Sequence, residues 1–466
     1  MAGLVAYGAY VPYWRLQRGA IAAALGSGGG KGSRSVASFD EDTTSLGVEA
    51  GRNALAMAGD GYHPNVVAFA TTAPAYADKT NATVIHAALG LDRSAASFDT
   101  VGSARSGVAA VEVAQAMGGL AVLGDIRTGL SGGADESNGG DAAVVWAFGE
   151  GDTIAHWIGG AAVSAEFVDR WREPGAPFSK QWEERFGEYA YVPLAEEAIG
   201  NALKSAGLAI GDLDRVIVTG LHTRAVGVVR KGVGATPQQL GDDLTAEIGN
   251  TGTAHWALLV ADAFDTAEPG QKILVANLAD GCDVGILEVD PGIVAARTRA
   301  RSTVRSQIEA TNTSLTYSQF LTWRGFLKRE PPRRPEPDRP AGPPSLRTNA
   351  WKYGLVGSRD ENGFVHLPPS RVSMGSGEID HMEEVRMADV PATVATFTVD
   401  RLAYSLSPPV VAAILDFDGG GRFQCELTDV DPAAVRIGDR VQMTFRRMYT
   451  QDGIHNYFWK AKPLAG

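Results

Sequence analysis

The segment Gly26-Ser27-Gly28-Gly29-Gly30-Lys31-Gly32-Ser33 has the glycines and the lysine of a phosphate-cradling loop. Such a loop needs Ser or Thr directly after the lysine to meet a bound cation, and Gly32 stands there. The segment is read as a plain loop. Ser103 and Ser106 lie in Gly102-Ser103-Ala104-Arg105-Ser106-Gly107. No G-x-S-x-G elbow surrounds either serine, and an unactivated hydroxyl is a weak nucleophile. Cys282 and Cys425 are the only cysteines in the sequence. Two thiols exclude a disulfide scaffold and a site with several thiolate ligands, and both read as small core fillers.

The elements that must position any chemistry come from a chain of 466 residues, 44 % hydrophobic and 21 % charged. At about 150 residues per domain, that length predicts roughly three units with ample core. The 56 glycines point to tight turns and close backbone packing. With 42 basic and 54 acidic residues the net charge is -12, which argues against a nucleic-acid partner. No apolar run reaches the roughly 18 residues of a membrane span. Met1-Ala2-Gly3-Leu4-Val5-Ala6-Tyr7 reads as a first strand rather than a signal peptide, and a cytoplasmic location is expected.

Short apolar runs alternate with amphipathic stretches up to about residue 300. Val66–Ala70, Ala142–Trp146, Arg215–Thr219 and Lys272–Ala276 read as buried strands. Thr44–Ala58, Gly107–Met117 and Leu194–Ala206 read as helices. Alternation of this kind predicts an α/β region with a mainly parallel sheet. Gly139-Gly140-Asp141-Ala142-Ala143-Val144 and Asp280-Gly281-Cys282-Asp283-Val284-Gly285-Ile286 are similar phrases closing two halves, which hints at duplication. Glu330–Pro344 is a proline-rich tether. Beyond Thr393 short alternating strands, with hairpin signals at Gly419-Gly420-Gly421 and Asp452-Gly453, predict a small β-barrel of OB type.

Two resemblances then emerge. Arg34-Ser35-Val36 with Asp40-Glu41-Asp42-Thr43, the segment Asp99–Gly107, Asn138-Gly139-Gly140-Asp141-Ala142-Ala143, Leu221-His222 and Gly249-Asn250-Thr251-Gly252 together resemble the thiolase superfamily, nearest its hydroxymethylglutaryl-CoA synthase and ketoacyl synthase III branch. Thr396–Val399, Leu427–Pro432 and Ile437–Val441 resemble the acyl-CoA-associated OB-fold family that carries an N-terminal zinc ribbon. The combination implies a thiolase-like five-layer αβαβα fold with internal duplication, plus a C-terminal all-β OB-fold domain. The expected boundaries are residues 1–325 for the thiolase-like domain, with halves at about 1–160 and 161–300. A linker over 326–350, a degenerate ribbon over 351–382 and the OB fold over 383–466 follow.

The resemblance also implies what has been lost. Family members acylate a cysteine at a helix N-terminus, where the helix end favours the thiolate. That position here holds Arg105, and the glutamate used as general acid/base is replaced in Thr72-Ala73-Pro74-Ala75-Tyr76-Ala77-Asp78-Lys79. His222 and Asn250 match the pair that donates hydrogen bonds to a thioester oxygen as it becomes an enolate. An enolate site without an acyl-cysteine fits one-step aldol or retro-aldol chemistry on a β-hydroxyacyl-CoA, as in steroid side-chain aldolase systems. Two alternatives are a synthase-like Claisen acyltransferase and a non-catalytic acyl-CoA-binding scaffold for a partner thiolase. The base is left open among Tyr76, Tyr189, Tyr191 and Asp99. Arg105, Arg34, Lys31 and His255 are candidates for substrate or CoA contacts. No cofactor is expected beyond CoA as part of the substrate. A homodimer, or a heteromer with a related thiolase-fold protein, is the expected assembly. The ribbon's second cysteine pair is replaced by Ser373 and Ser376, so a metal-free ribbon packed by Trp351, Phe364 and Leu367 is expected.

Overall fold

The computed structural model describes residues 2–464, so Met1 of the expected first strand lies outside it. The chain divides into two compact units. The first runs through Ala37, then Glu49–Thr83 and Asp92–Tyr317; the second comprises Ser38–Val48, Val84–Leu91 and the chain from Ser318 onward.

In the first unit, one half contributes β1 (Gly3–Tyr10), β2 (Val66–Thr71), β3 (Ala96–Val101), β4 (Leu120–Ile126) and β5 (Asp141–Gly149), in spatial order β3-β2-β4-β5-β1. β2 is parallel to β3 and β4, and β5 is antiparallel to β4 and β1. The other half contributes β6 (Ala155–Ser164), β7 (Arg215–Gly220), β8 (Lys272–Leu278) and β9 (Gly281–Val289), in order β7-β8-β9-β6. Here β7 is parallel to β8, and β9 is antiparallel to β8 and β6. Order and directions repeat strand for strand, except that β3 has no counterpart. The hint of duplication is thus written in the topology. The half-sheets meet at one pair, Leu4 with Ala155. The sheet is mixed rather than mainly parallel. One reason is local: only Ala279 and Asp280 join β8 to β9, too few residues for a crossover, and Asp280 turns the chain at φ 47°.

Helices complete the layers. Thr43–Ala58 crosses β1 at Gly8, where a Cβ would lie 2.2 Å from the Ala54 nitrogen and 2.4 Å from the Ala50 oxygen. α1 (Ser106–Met117) packs on β2 and β4. α2 (Glu184–Ala206) covers β6 and β9, and α3 (Thr223–Gly232) packs on α2. α4 (His255–Phe264) touches strands of both half-sheets. The succession is αβαβα. Trp146 centres the core, its ring 5.1 Å from that of Trp256 and edge-on to it.

The second unit holds a three-stranded sheet of β10 (Val356–Asp360), β11 (Val365–His366) and β12 (Met382–Arg386). It also holds a closed barrel of β13 (Ala392–Asp400), β14 (Val410–Phe417), β15 (Arg422–Leu427), β16 (Arg440–Gln451) and β17 (Ile454–Pro463). Val411, Ala413, Leu415 and Phe417 of β14 are buried with period two, as an inward-facing strand requires. The proline-rich tether is exposed and irregular to Pro340, but Gly342–Arg347 is helical, its prolines in the first turn where no N–H is needed.

The acidic run Asp40-Glu41-Asp42 belongs to this unit and is buried among cations. Lys460 Nζ lies 2.8 Å from Asp40, Arg446 lies 2.8 Å from Glu41 and 2.6 Å from Asp429, and the Tyr457 hydroxyl donates to Asp42 at 2.6 Å. Burial opposes the Asp40 charge, but Lys460 and Arg446 outweigh it and hold the carboxyl at about 2.

Around the ribbon, Asp360 accepts the Ser376 hydroxyl at 2.7 Å and the N–H groups of Phe364 and Asn362. Ser373 Oγ accepts the N–H groups of Gly375 and Ser376 at 3.1 Å, and His366 Nε2 accepts that of Met374 at 2.9 Å. Hydrogen bonds to hydroxyls, a carboxylate and an imidazole hold these turns. Among the described residues no group of three His, Cys, Asp or Glu converges as metal ligands would. The expected packing needs correction. Phe364 is 49 % exposed, and Trp351 packs instead against Phe423 and Phe458 of the barrel.

Candidate active site

His222 follows β7 and caps α3. Its Nδ1 accepts the Ala225 N–H at 3.0 Å. A ring nitrogen that accepts carries no proton, so the ring N–H is on Nε2. That Nε2 is buried and has no protein partner. Asn250 lies in the turn before α4. Its Oδ1 accepts the Gly252 N–H at 2.9 Å and its Nδ2 donates to the Gly220 carbonyl at 3.0 Å. The fixed amide keeps one further Nδ2–H. Its backbone pairs with Asn138 and Gly140, at 2.7 and 2.9 Å, tying the second half to the first.

Both side chains line one cavity of 260 Å³. Arg127, Asp135, Asp169, Arg170 and Glu184 share its wall. Two fixed donors on the wall of one cavity are what a developing oxyanion needs. α2 makes room for the imidazole: a Cβ on Gly187 would lie 2.3 Å from His222 Nε2 and 2.6 Å from Asp169 Oδ1. Asp169 is buried beside His222. Burial, reinforced by the nearby charge of Asp280 and only partly countered by His222 and Arg170, raises its proton affinity above the ordinary carboxylate range. The sequence reading missed Asp169 and Arg127. No local phrase marks them, and only the folded chain brings them to the cavity that His222 lines.

Other candidates sit elsewhere. Tyr191 packs against His222, ring centroids 5.8 Å apart, and against Phe167. Burial and the charges of Asp169 and Asp280 push its phenol well up, so it remains protonated and packs beside His222. Tyr189 is 81 % exposed, because two residues along a helix turn the side chain away. Tyr76 does not line the cavity; its backbone is braced by Asn81, at 3.0 and 2.9 Å. Asp99 accepts the N–H groups of Asn81 and Ala82 at 2.6 and 2.8 Å, capping the helix Ala82–Leu89. Lys31 is exposed in its loop.

Arg34 is 0 % exposed and donates to Asp141 at 3.1 Å and to the Arg127 carbonyl at 2.7 Å, which makes it a strut rather than a CoA contact. His255 is buried at the start of α4, beside Thr251 at 3.3 Å, and burial lowers its pKa to about 4. A neutral core histidine does not bind phosphate through charge. Arg105 grips Asp283 through two bonds of 2.8 and 2.9 Å and the Asp280 carbonyl at 2.9 Å. The place of its expected substrate or CoA contact is taken by a carboxylate of the protein. A cation at the start of α1 also opposes the helix dipole, the reverse of thiolate activation. Cys282 and Cys425 are held as thiols, burial pushing each up to about 12. A larger cavity of 720 Å³, lined by Val108, Val111, Trp157 and Trp256, carries none of the candidate residues.

The hydroxymethylglutaryl-CoA synthase of Methanopyrus kandleri is 30 % identical over 300 residues, spanning 60 % of this chain and 84 % of that protein. The synthase of Aeropyrum pernix is 32 % identical over 299 residues, 60 % of this chain and 82 % of its own. The chain belongs to the hydroxymethylglutaryl-CoA synthase family. Residues 384–446 match the model of the ChsH2 C-terminal OB-fold domain. Among solved structures, 3-oxoacyl-(acyl carrier protein) synthase III from Pseudomonas aeruginosa covers 62 % of this chain and 98 % of its own, at 19 % identity and TM-score 0.54. A hydroxymethylglutaryl-CoA synthase complexed with CoA covers 69 % and 89 %, at 17 % identity and TM-score 0.56. These likenesses establish a thiolase-like fold joined to an OB fold. No helix among the described residues is long and apolar enough to cross a membrane.

Proposed function

We propose that this chain makes or breaks a carbon–carbon bond beside a CoA thioester, by aldol or retro-aldol chemistry on a β-hydroxyacyl-CoA, without an acyl-enzyme. The observation that carries this reading is the pair His222 and Asn250, each with an N–H to spare on one cavity wall. It is joined by Arg105 standing paired with Asp283 where the resembled family keeps its nucleophile.

In the cleavage direction, Asp169 takes the β-hydroxyl proton. The O–H electron pair forms the new carbonyl as the Cα–Cβ bond breaks. That bond's electrons pass into the thioester, whose enolate oxygen accepts hydrogen bonds from His222 Nε2 and Asn250 Nδ2. The proton on Asp169 returns to the α-carbon. A ketone or aldehyde and a shortened acyl-CoA leave, and the balance closes without a cofactor. Each aimed donor contributes on the order of 3 kcal/mol to the transition state. The raised proton affinity of Asp169, caused by burial, suits it to take and return a proton.

The likeness to hydroxymethylglutaryl-CoA synthases favours a second reading, a Claisen-type synthase reaction through an unrecognised nucleophile. Incubation with β-hydroxyacyl-CoA thioesters separates the two. Release of acetyl- or propionyl-CoA with a carbonyl product, and no mass increase on the protein, supports the aldolase. An acyl-enzyme in the intact mass sinks it. Tight CoA binding without any product favours an acyl-CoA-binding scaffold.

A further inference from the structure

Asp169, the carboxylate beside His222, stands directly before a hairpin whose strands are Arg170–Trp171 and Lys180–Gln181. The Trp182 N–H donates to the Asp169 carbonyl at 2.7 Å, and the ladder continues through Arg170 with Gln181 and Trp171 with Lys180. A two-stranded ladder of this length does not hold itself in water. The stem that carries Asp169 therefore needs a further support.

Asp135 supplies it. Its Oδ2 accepts from Arg170 Nη1 at 2.6 Å, and its Oδ1 accepts from Arg170 Nη2 and Gln181 Nε2, each at 2.8 Å. One carboxylate thus bridges the two strands at the pair next to Asp169. Two parallel bonds to a planar guanidinium fix direction as well as distance. Burial opposes the Asp135 charge, but Arg170, Arg127 and Gln181 outweigh it and hold the carboxyl below the ordinary range. Two other ties reach the hairpin further out. The Thr128 hydroxyl donates to the Pro177 carbonyl at 3.0 Å, and Arg172 donates to the Thr72 carbonyl.

Asp135 belongs to the short helix Ala134–Asn138. The Asn138 carbonyl accepts the Asn250 N–H at 2.7 Å. The same element therefore grips the Asp169 hairpin with a side chain and the Asn250 turn with its backbone. Asp135, Arg170 and Gln181 line the 260 Å³ cavity together with Asp169, His222 and Asn250.

We propose that Asp135 is a positioning residue: by clamping Arg170 and Gln181 it sets Asp169 against the donor pair His222 and Asn250. This rests on the reading of Asp169 as the base. Burial disfavours the Asp169 carboxylate, His222 and Arg170 favour it, and Asp280 opposes it. Glu184 shares the cavity, and Tyr191 packs against His222. Loss of the Asp135 charge leaves Arg170 an unpaired cation beside Asp169 and opens the stem to water. Both effects lower the Asp169 pKa towards the ordinary carboxylate range.

The test compares the full-length protein with Asp135→Asn, Asp135→Glu and Gln181→Ala. It reads hydrogen exchange over residues 169–182 and the kcat–pH profile for cleavage of a β-hydroxyacyl-CoA. In Asp135→Asn, exchange in the hairpin quickens about 10-fold while the sheets keep their protection. Its kcat falls about 10- to 100-fold with KM little changed, the effect of a displacement near 1 Å at the chemistry. Its acid limb moves to lower pH. Asp135→Glu keeps a carboxylate and recovers part of each change. Gln181→Ala removes one bond of the three from an exposed partner and shifts each reading the same way by less. Unchanged exchange over 169–182 overturns the clamp. A loosened hairpin with kcat and acid limb both unmoved overturns the positioning role. So does exchange that quickens evenly throughout the protein with the limb unmoved, which marks general destabilisation. A loosened hairpin in a protein whose unaltered form cleaves no thioester retires the base reading of Asp169 and leaves the clamp standing.

Discussion

Ala225 donates its backbone N–H to His222 Nδ1 at 3.0 Å, and this one bond decides which imidazole nitrogen carries the proton. The first turn of α3 thus converts an ambidextrous side chain into a donor aimed from Nε2. Asn250 is oriented in the same manner by Gly252 and Gly220. The two donors are therefore set before any substrate arrives, which is the condition for electrostatic stabilisation of an enolate.

Gly187→Ala tests that setting without touching either donor. The added methyl would fall 2.3 Å from His222 Nε2, so the imidazole must move. Cleavage should fall about 100-fold with the fold intact, since a displacement near 1 Å at the chemistry has that effect. Steady-state kinetics beside circular dichroism make the check, and undiminished turnover would detach His222 Nε2 from the reaction.

Asp169 predicts a pH dependence. Its pKa is raised by burial, so the carboxylate that acts as base accumulates only as pH rises beyond the ordinary carboxylate range. The rate should climb through an acid limb displaced upward. Asp169→Asn should remove that limb and lower kcat by about 10²- to 10⁴-fold. A kcat–pH profile of both proteins provides the measurement.

The thiols predict silence. Both cysteines titrate near 12, so at neutral pH iodoacetamide should react slowly with the folded protein, and Cys282→Ser should keep its activity. Fast alkylation of Cys282 that abolishes turnover would revive the acyltransferase reading.

Asp40 predicts acid sensitivity of the second unit. Its folded pKa of about 2 lies below the ordinary 3.8. The stabilisation is therefore complete above about pH 4 and is lost as pH falls towards 2. Protection from hydrogen exchange in β16 and β17 should fall between about pH 4 and pH 2, and Asp40→Asn should flatten that change while weakening the barrel at pH 7.

The repeating apolar runs announced the strands, because a buried strand needs apolar residues locally. Val66–Ala70 and Arg215–Thr219 lie inside the observed β2 and β7. His222 and Asn250 were visible because each sits in a short phrase at a strand end or turn. Arg34 and Asp99 misled because a charged residue near family phrases looks functional until its partners are known. Those partners, Asp141 and the N–H groups of Asn81 and Ala82, come from other parts of the chain. Arg127 and Asp169 stayed hidden for the converse reason. Their significance is the cavity that they share with His222 and Asn250, and only folded neighbours reveal it.

Stabilisation of a thioester enolate by His222 is read out by the cleavage rate of a β-hydroxyacyl-CoA with His222→Ala beside the unaltered protein, acyl-CoA and carbonyl products being quantified together. Equimolar products are expected from the unaltered protein, with a kcat about 10²- to 10³-fold lower in the variant and little change in CoA affinity. Equal kcat in the two proteins would contradict it.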